Sequence, residues 1–301
     1  MPHLDTILPL LAHVLSEKPL IEEPLARHTS FRVGGPAEIF IKPSTTEELK
    51  KVWKICRKHG IPLTILGDGT NVLVADTGLR GVIVSTNKLN EIELCENNRI
   101  RVQAGARLSK VAEIACKAGF AGFEFASGIP GTVGGAVYMN AGAYDHDIGE
   151  FCESVMLLKD DIFVKSGIEM EFGYRRSFAQ QGNMLVLEAT FQLKPGKEED
   201  IRAKMTELNN RRRQSQPLDF PSAGSTFKRP TGYFAGKLIQ DSGLKGFSIG
   251  GAQVSEKHAG FVINTGNATA QDIFDVIEAV RKRVHENFNV WLEPEVKILG
   301  F

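Results

Sequence analysis

The amino-acid sequence predicts an α+β protein built from two or three packed units, and three observations predict it. Helix-period and strand-period stretches alternate along the chain without the strict strand–helix–strand rhythm of a doubly wound sheet. At 301 residues the chain exceeds the commonest size of one compact domain and can bury more than one core. A charged helical stretch over 198–212 runs into R-R-R-Q-S-Q-P, which reads as an exposed linker, and a small α+β unit follows it.

Each element has a local cause. Over 44–59, Ser44 and Glu47 form a capping box ahead of Leu49, Val52, Trp53 and Cys56 at helical spacing, and Gly60 and Pro62 stop the helix. Short β-branched runs at 63–66, 71–74 and 81–86 read as strands, with G-D-G-T-N between the first two and a Thr-Gly turn before the third. Residues 99–104 alternate as a strand, 107–118 form an amphipathic helix ended by Gly119, and 185–193 form another strand. Past the linker come a short helix at 234–241, a strand at 260–264, a helix from a Thr269 cap carrying Ile273, Val276, Ile277, Val280 and Val284, and a last strand at 290–299.

Composition removes several classes of function. Thirty-six Lys and Arg balance thirty-six Asp and Glu, so no global positive field exists to hold a phosphate backbone, and nucleic acid is not an expected partner. The four cysteines, Cys56, Cys95, Cys116 and Cys152, contain no C-x-x-C pair, so neither a zinc site nor a redox dithiol is expected, no metal is expected, and buried free thiols are. The uncharged run 125–144 is long enough to span a bilayer but is rich in glycine and holds Pro130 and Asn140, so it reads as loop and turn rather than membrane. Asp5 stands where a secretory signal is uncharged, and a cytoplasmic location is the expectation.

Two glycine-rich segments carry candidate chemistry. In L-G-D-G-T-N-V-L-V at 66–74, Gly67 and Gly69 let backbone N–H groups converge while Thr70 and Asn71 add side-chain donors, so the segment is either a phosphate cradle or a tight hairpin turn. It lacks the G-x-G-x-x-G order, and no G-x-x-x-x-G-K-[ST] occurs, which excludes Rossmann and P-loop assignments. The second segment, S-G-I-P-G-T-V-G-G-A-V-Y-M-N-A-G-A-Y at 127–144, is too glycine-dense for a core element. It suits close approach of backbone to a flat, extended ligand, with a surface loop as the alternative.

With H-T-S-F-R-V-G-G-P-A at 28–37, F-G-Y-R-R-S at 172–177, A-G-S-T-F-K-R-P at 223–230, G-G-A-Q-V-S-E-K-H-A-G-F at 250–261 and L-E-P-E-V-K at 292–297, these segments resemble the UDP-N-acetylenolpyruvoylglucosamine reductase (MurB) family in order and separation. The resemblance covers about residues 25 to 301 and is to the shorter subclass that lacks an extra tyrosine-bearing loop. It implies a vanillyl-alcohol-oxidase-type FAD-binding fold in two subdomains, 1–95 and 96–210, plus a C-terminal α+β substrate domain, 211–301. Non-covalent FAD is implied, held by Gly67, Asp68, Gly69, Thr70 and Asn71 and by Ser127, Gly128, Ile129, Gly131, Thr132, Gly134 and Gly135. NADPH is implied as hydride donor, and the expected partner is a small molecule, UDP-N-acetylglucosamine enolpyruvate, with no membrane insertion and a monomeric protein.

The resemblance also implies the division of labour. Hydride addition to the terminal carbon of the enolpyruvyl double bond leaves charge on the adjacent carbon and its carboxylate, which must be stabilised and then protonated. Arg175 matches the catalytic arginine and Glu295 the catalytic glutamate, which helps only when protonated or donating through water, so a raised pKa is implied. Ser225 matches the proton donor. Tyr174, Lys228, Arg229, Lys257 and His258 are carried as substrate-binding, while Arg211 to Arg213 either reach a phosphate or complement the negative end of their helix. Two rivals stand beside this reading. Another oxidoreductase of the same flavin fold would not require A-G-S-T-F-K-R-P and L-E-P-E-V-K, and a non-catalytic nucleotide-binding regulator would not need serine, arginine and glutamate together.

Overall fold

The computed structural model describes residues 4–182 and 184–301. The first three residues, part of the stretch read above for an export signal, lie outside the described residues, as does Asn183. The chain forms two compact units. One holds the residues up to Leu20, Ile39–Asp68 and Gly81–Arg212, and the other holds Ile21–Glu38, Gly69–Arg80 and Arg213–Phe301.

The first unit is organised around a five-stranded antiparallel sheet, Ile162–Ser166, Cys152–Leu158, Leu185–Gln192, Arg99–Gln103 and Ile92–Cys95 in spatial order. Val102, Val155, Ala189 and Phe191 point into one core, where the Phe123 and Phe191 rings lie 4.8 Å apart. A second core gathers Leu49, Val52 and Trp53 of the helix Thr46–Lys58 under Val82 and Val84. The strand Leu63–Leu66 pairs in parallel with Leu79–Ser85.

In the second unit, Ser248–Ile249, Ala252–Val254 and Val262–Asn264 form an antiparallel sheet. It is covered by the helix Ala270–Phe288, whose Ile273, Val276, Ile277, Val280 and Val284 are fully buried, as their spacing predicts. A capping box between Thr269 and Asp272 starts that helix. The segment Val72–Val74 pairs in parallel with Lys297–Leu299.

Several expectations are corrected. The cap of Thr46–Lys58 lies one residue later, with the Thr45 hydroxyl accepting from Glu48 N–H and the Glu48 carboxylate accepting from Ser44 N–H, because Glu48 reaches both ends of the turn. G-D-G-T-N is not a hairpin turn, since the strands on its two sides pair with different partners. The segment 127–144 is not all loop: Val133–Met139 is a short helix with Val133, Ala136 and Val137 buried. Gly134 permits this, because its N–H donates to the Ala104 carbonyl at 2.7 Å and a Cβ there would sit 2.8 Å from the Ala104 Cβ. The glycines that argued against a core element are what let the helix touch the strand.

The expected linker is also helical. Helix Glu198–Ser215 runs through R-R-R-Q, all sound helix formers, to its last residue Ser215, and Pro217 beyond it is buried. The last strand is shorter than expected, Lys297–Leu299, because Glu293–Glu295 pair instead with the segment around Phe227. Three cysteines are buried, and Cys95 is not. Burial pushes the Cys56 and Cys152 thiols up to about 12.

Candidate active site

In the first unit the two glycine segments meet. A Cβ on Gly67 would overlap the Thr132 hydroxyl oxygen, so only glycine admits the approach. Thr132 is 2% exposed, caps no helix N–H, and leaves its Oγ1 buried without a hydrogen-bond partner. A buried orphan hydroxyl costs about 1–3 kcal/mol unless something outside the chain satisfies it. Hydrogen bonds hold the segment in place: Leu108 N–H donates to Gly131 O at 3.1 Å and Val133 N–H to Ala106 O at 2.8 Å. Between them Arg107 reaches Asp68, Nε to Oδ2 2.9 Å. Gly135 is exposed and has nothing closer to its absent side chain than Thr132 Oγ1 at 3.8 Å.

At the start of the segment, Ser127 Oγ donates to Glu124 O and accepts from Asn209 Nδ2. Gly128 packs directly against Asn209 and Arg212, and Ile129 packs against the core. Arg212 is half-buried, and among the described residues no carboxylate or carbonyl bonds its guanidinium, so burial pulls its pKa down. A partly desolvated cation without a counter-charge is costly on its own and suits an anionic ligand. Arg211 behaves differently, pairing with Glu207 and lying over the Tyr144 ring.

The far end of the same segment positions Arg175. Asn140, in the left-handed conformation at φ +43°, donates from Nδ2 to Gly173 O and accepts Gly149 N–H. Gln180 Nε2 donates to both Tyr138 O and Arg175 O, and Ser177 Oγ donates to Tyr138 O. Gly173 and Arg176 exchange backbone hydrogen bonds, which closes a tight turn carrying Tyr174 and Arg175. Arg175 adopts φ +55°, a conformation rare for a side chain of this size that persists only where surrounding bonds impose it. Its guanidinium lies over the Tyr174 ring at 5.2 Å.

The second unit brings Ser225 and Glu295 together. Thr226 is fully buried, its N–H donating to Gly260 O and its Oγ1 accepting from Val262 N–H. On its other side Glu295 N–H donates to Thr226 O at 2.8 Å, Phe227 bridges to Pro294, and Lys228 N–H donates to Glu293 O. Ser225 is thus exposed beside an extended segment bonded on both sides, one residue from the partner of Glu295. Asn71 ties the first glycine segment to the stretch that carries Glu295, Nδ2 donating to Glu295 O at 3.1 Å and its carbonyl accepting Lys297 N–H. Gly69 sits against the His28 carbonyl, and Ser30 N–H donates to Gly69 O. The motif at 28–37 is therefore the floor beneath Gly69-Thr70-Asn71.

The remaining candidates have local partners. Lys228 is ion-paired with Glu293, the Arg229 guanidinium lies 3.9 Å over the Phe234 ring, and Lys257 Nζ donates to Arg213 O. His258 Nδ1 accepts from Gly260 N–H and its ring meets Phe261 edge-on, with burial pulling its pKa down. Sequence reading missed Arg107, Asn140, Gln180 and Asn209, which act through pairs remote in sequence. Only Asn140, ahead of Ala-Gly at a helix end, leaves a local signal.

A family model described as an FAD binding domain matches residues 37–161, which makes the chain a flavin-binding enzyme of the oxidoreductase class. A second model, the UDP-N-acetylenolpyruvoylglucosamine reductase C-terminal domain, matches residues 216–299. The UDP-N-acetylenolpyruvoylglucosamine reductase of Clostridium perfringens is 50% identical over 294 residues, covering 97% of this chain and 96% of that one. That of Caldanaerobacter subterraneus subsp. tengcongensis is 51% identical over 293 residues, covering 96% and 97%. The crystal structure of the Thermus caldophilus reductase superposes with a TM-score of 0.80 at 33% identity, covering 94% of this chain and 98% of that one. The chain belongs to the UDP-N-acetylenolpyruvoylglucosamine reductase family.

Proposed function

We infer that the chain carries out the reaction for which its family is named: FAD-dependent reduction of UDP-N-acetylglucosamine enolpyruvate to UDP-N-acetylmuramate, in peptidoglycan precursor synthesis. The observation that carries the residue assignment is the bond from Glu295 N–H to Thr226 O, which sets the proposed glutamate beside the proposed proton donor. Residues present fit FAD: Thr132 offers an unsatisfied buried hydroxyl, Gly67 lets the first segment close on Thr132, and Arg212 is a partly desolvated cation that no carboxylate among the described residues pairs. Gly67 to Asn71 and Ser127 to Gly135 are the proposed cofactor-holding segments, and the division into 1–95, 96–210 and 211–301 is the proposed functional map. When bound, FAD supplies the hydride that saturates the enolpyruvyl double bond.

The protein's own groups do the rest. Arg175 binds the substrate carboxylate through paired N–H donors, held for it by the turn that Gln180 and Asn140 clamp. Glu295, in its neutral form, donates a hydrogen bond where negative charge develops, since an ionised carboxylate there opposes that charge. The Ser225 hydroxyl delivers its proton to the carbon beside the carboxylate, a base strong enough to take it. Tyr174, Lys228, Arg229, Lys257 and His258 are the proposed contacts to the rest of the nucleotide sugar.

NADPH as reductant, a cytoplasmic location and a monomeric state complete the proposal. Four cysteines without a disulfide suit a reducing compartment. Among the described residues no helix is long and apolar enough to cross a membrane. Purified protein is expected to be yellow, to release FAD on acid precipitation, to bleach with NADPH and to recolour with the enolpyruvyl substrate. A colourless protein that cannot be reconstituted with FAD, or bleached protein that the substrate does not recolour, defeats the assignment.

A further inference from the structure

The Arg107–Asp68 pair lies inside the proposed cofactor cradle yet opposes its chemistry. A segment that gathers N–H donors for a phosphate carries a carboxylate at its centre, and the Asp68 side chain is only 14% exposed. An uncancelled negative charge there repels any anion the segment receives. The Arg107 side chain, 69% exposed, meets that carboxylate at 2.9 Å. Its backbone is fixed between the bonds Leu108 N–H to Gly131 O and Val133 N–H to Ala106 O, and it bridges to Thr132. Arg107 is therefore anchored to the second glycine segment and reaches to the first, next to the place where Gly67 touches Thr132.

We propose that Arg107 is a positioning residue for the cofactor: held against the second glycine segment, it neutralises Asp68, so that the cradle presents N–H donors rather than a carboxylate to the FAD pyrophosphate. The inference rests on the flavin reading above. It predicts an asymmetry that a merely structural salt bridge does not, because the harm in losing Arg107 comes from the charge left behind on Asp68.

The test is FAD affinity of the apoprotein, read by quenching of flavin fluorescence. Arg107→Gln is expected to bind FAD about tenfold more weakly, and Arg107→Lys to recover most of that loss. Asp68→Asn is expected to bind at least as tightly as the unaltered protein and to become more sensitive to salt, since Arg107 then faces the phosphates alone. The double variant Arg107→Gln, Asp68→Asn is expected to bind more tightly than Arg107→Gln. Normal binding by Arg107→Gln, tenfold loss in Asp68→Asn, or a double variant weaker than Arg107→Gln overturns the proposal. Should Arg107→Gln not melt cooperatively as apoprotein, Asp68→Asn decides alone by the same criterion. Failure of the unaltered protein to take up FAD defeats the flavin reading instead.

Discussion

Replacing Thr132 by valine separates what this side chain does for the fold from what it does for a ligand. The two side chains have nearly the same shape, and Thr132 caps no helix N–H, so valine forfeits no intramolecular bond. At 2% exposure the hydroxyl is cut off from water. Removing a buried unsatisfied hydroxyl relieves about 1–3 kcal/mol, so the apoprotein is expected to become more stable, by roughly 2–4 °C in Tm for each kcal/mol. Cofactor binding moves the other way. If the hydroxyl bonds a charged group of FAD, its loss costs about 1.5–3 kcal/mol, which weakens affinity roughly tenfold to a hundredfold. Thermal melting of the apoprotein followed by calorimetric titration with FAD measures both. A Thr132→Val protein that melts lower, or that binds FAD as tightly as before, refutes the argument that this hydroxyl awaits the cofactor.

Three further outcomes are expected. Ser225→Ala leaves bleaching of the bound flavin by NADPH intact but slows recolouring by the enolpyruvyl substrate, by about a hundred- to ten-thousandfold; stopped-flow absorbance that shows equal slowing of both steps, or of neither, removes Ser225 from proton donation. Glu295→Gln, which keeps a donor, retains more of the recolouring rate than Glu295→Asp, and the reverse order means that the residue acts as an anion. Burial depresses the His258 pKa in the folded state, so the unfolded chain binds this proton first and stability is full only above the unfolded value of about 6.5. Unfolding midpoints are therefore expected to fall as pH drops below that value, and to fall less in His258→Gln; identical pH dependence in both proteins contradicts the buried neutral histidine.

The local elements were legible because their causes are local. The Thr269 cap, the stripe from Ile273 to Val284, Gly60 and Gly119 after their helices, and the strands read at 63–66 and 99–104, the second of which ends at Gln103, follow from caps and from the 3.6 and 2.0 periods of side-chain direction. The motifs also suggested roles for Ser225, Arg175 and Glu295 through the family resemblance, and those roles stand as proposals. What the sequence by itself did not determine was partnership. Val72–Val74 pairs with Lys297–Leu299, more than two hundred residues away, and that pairing makes G-D-G-T-N a connection between different strands instead of a hairpin. Glycine density in 127–144 implied a loop because composition registers the entropy cost of glycine but not the strand against which Gly134 packs. Cradle, ion pair and clamp are likewise tertiary: Gly67 with Thr132, Asp68 with Arg107, Asn71 with Glu295 and Tyr138 with Gln180 each join segments whose spacing carries no period. Hydrogen bonds and steric contacts act over ångströms in space, so the chain states which groups are available and only its folding decides which of them meet.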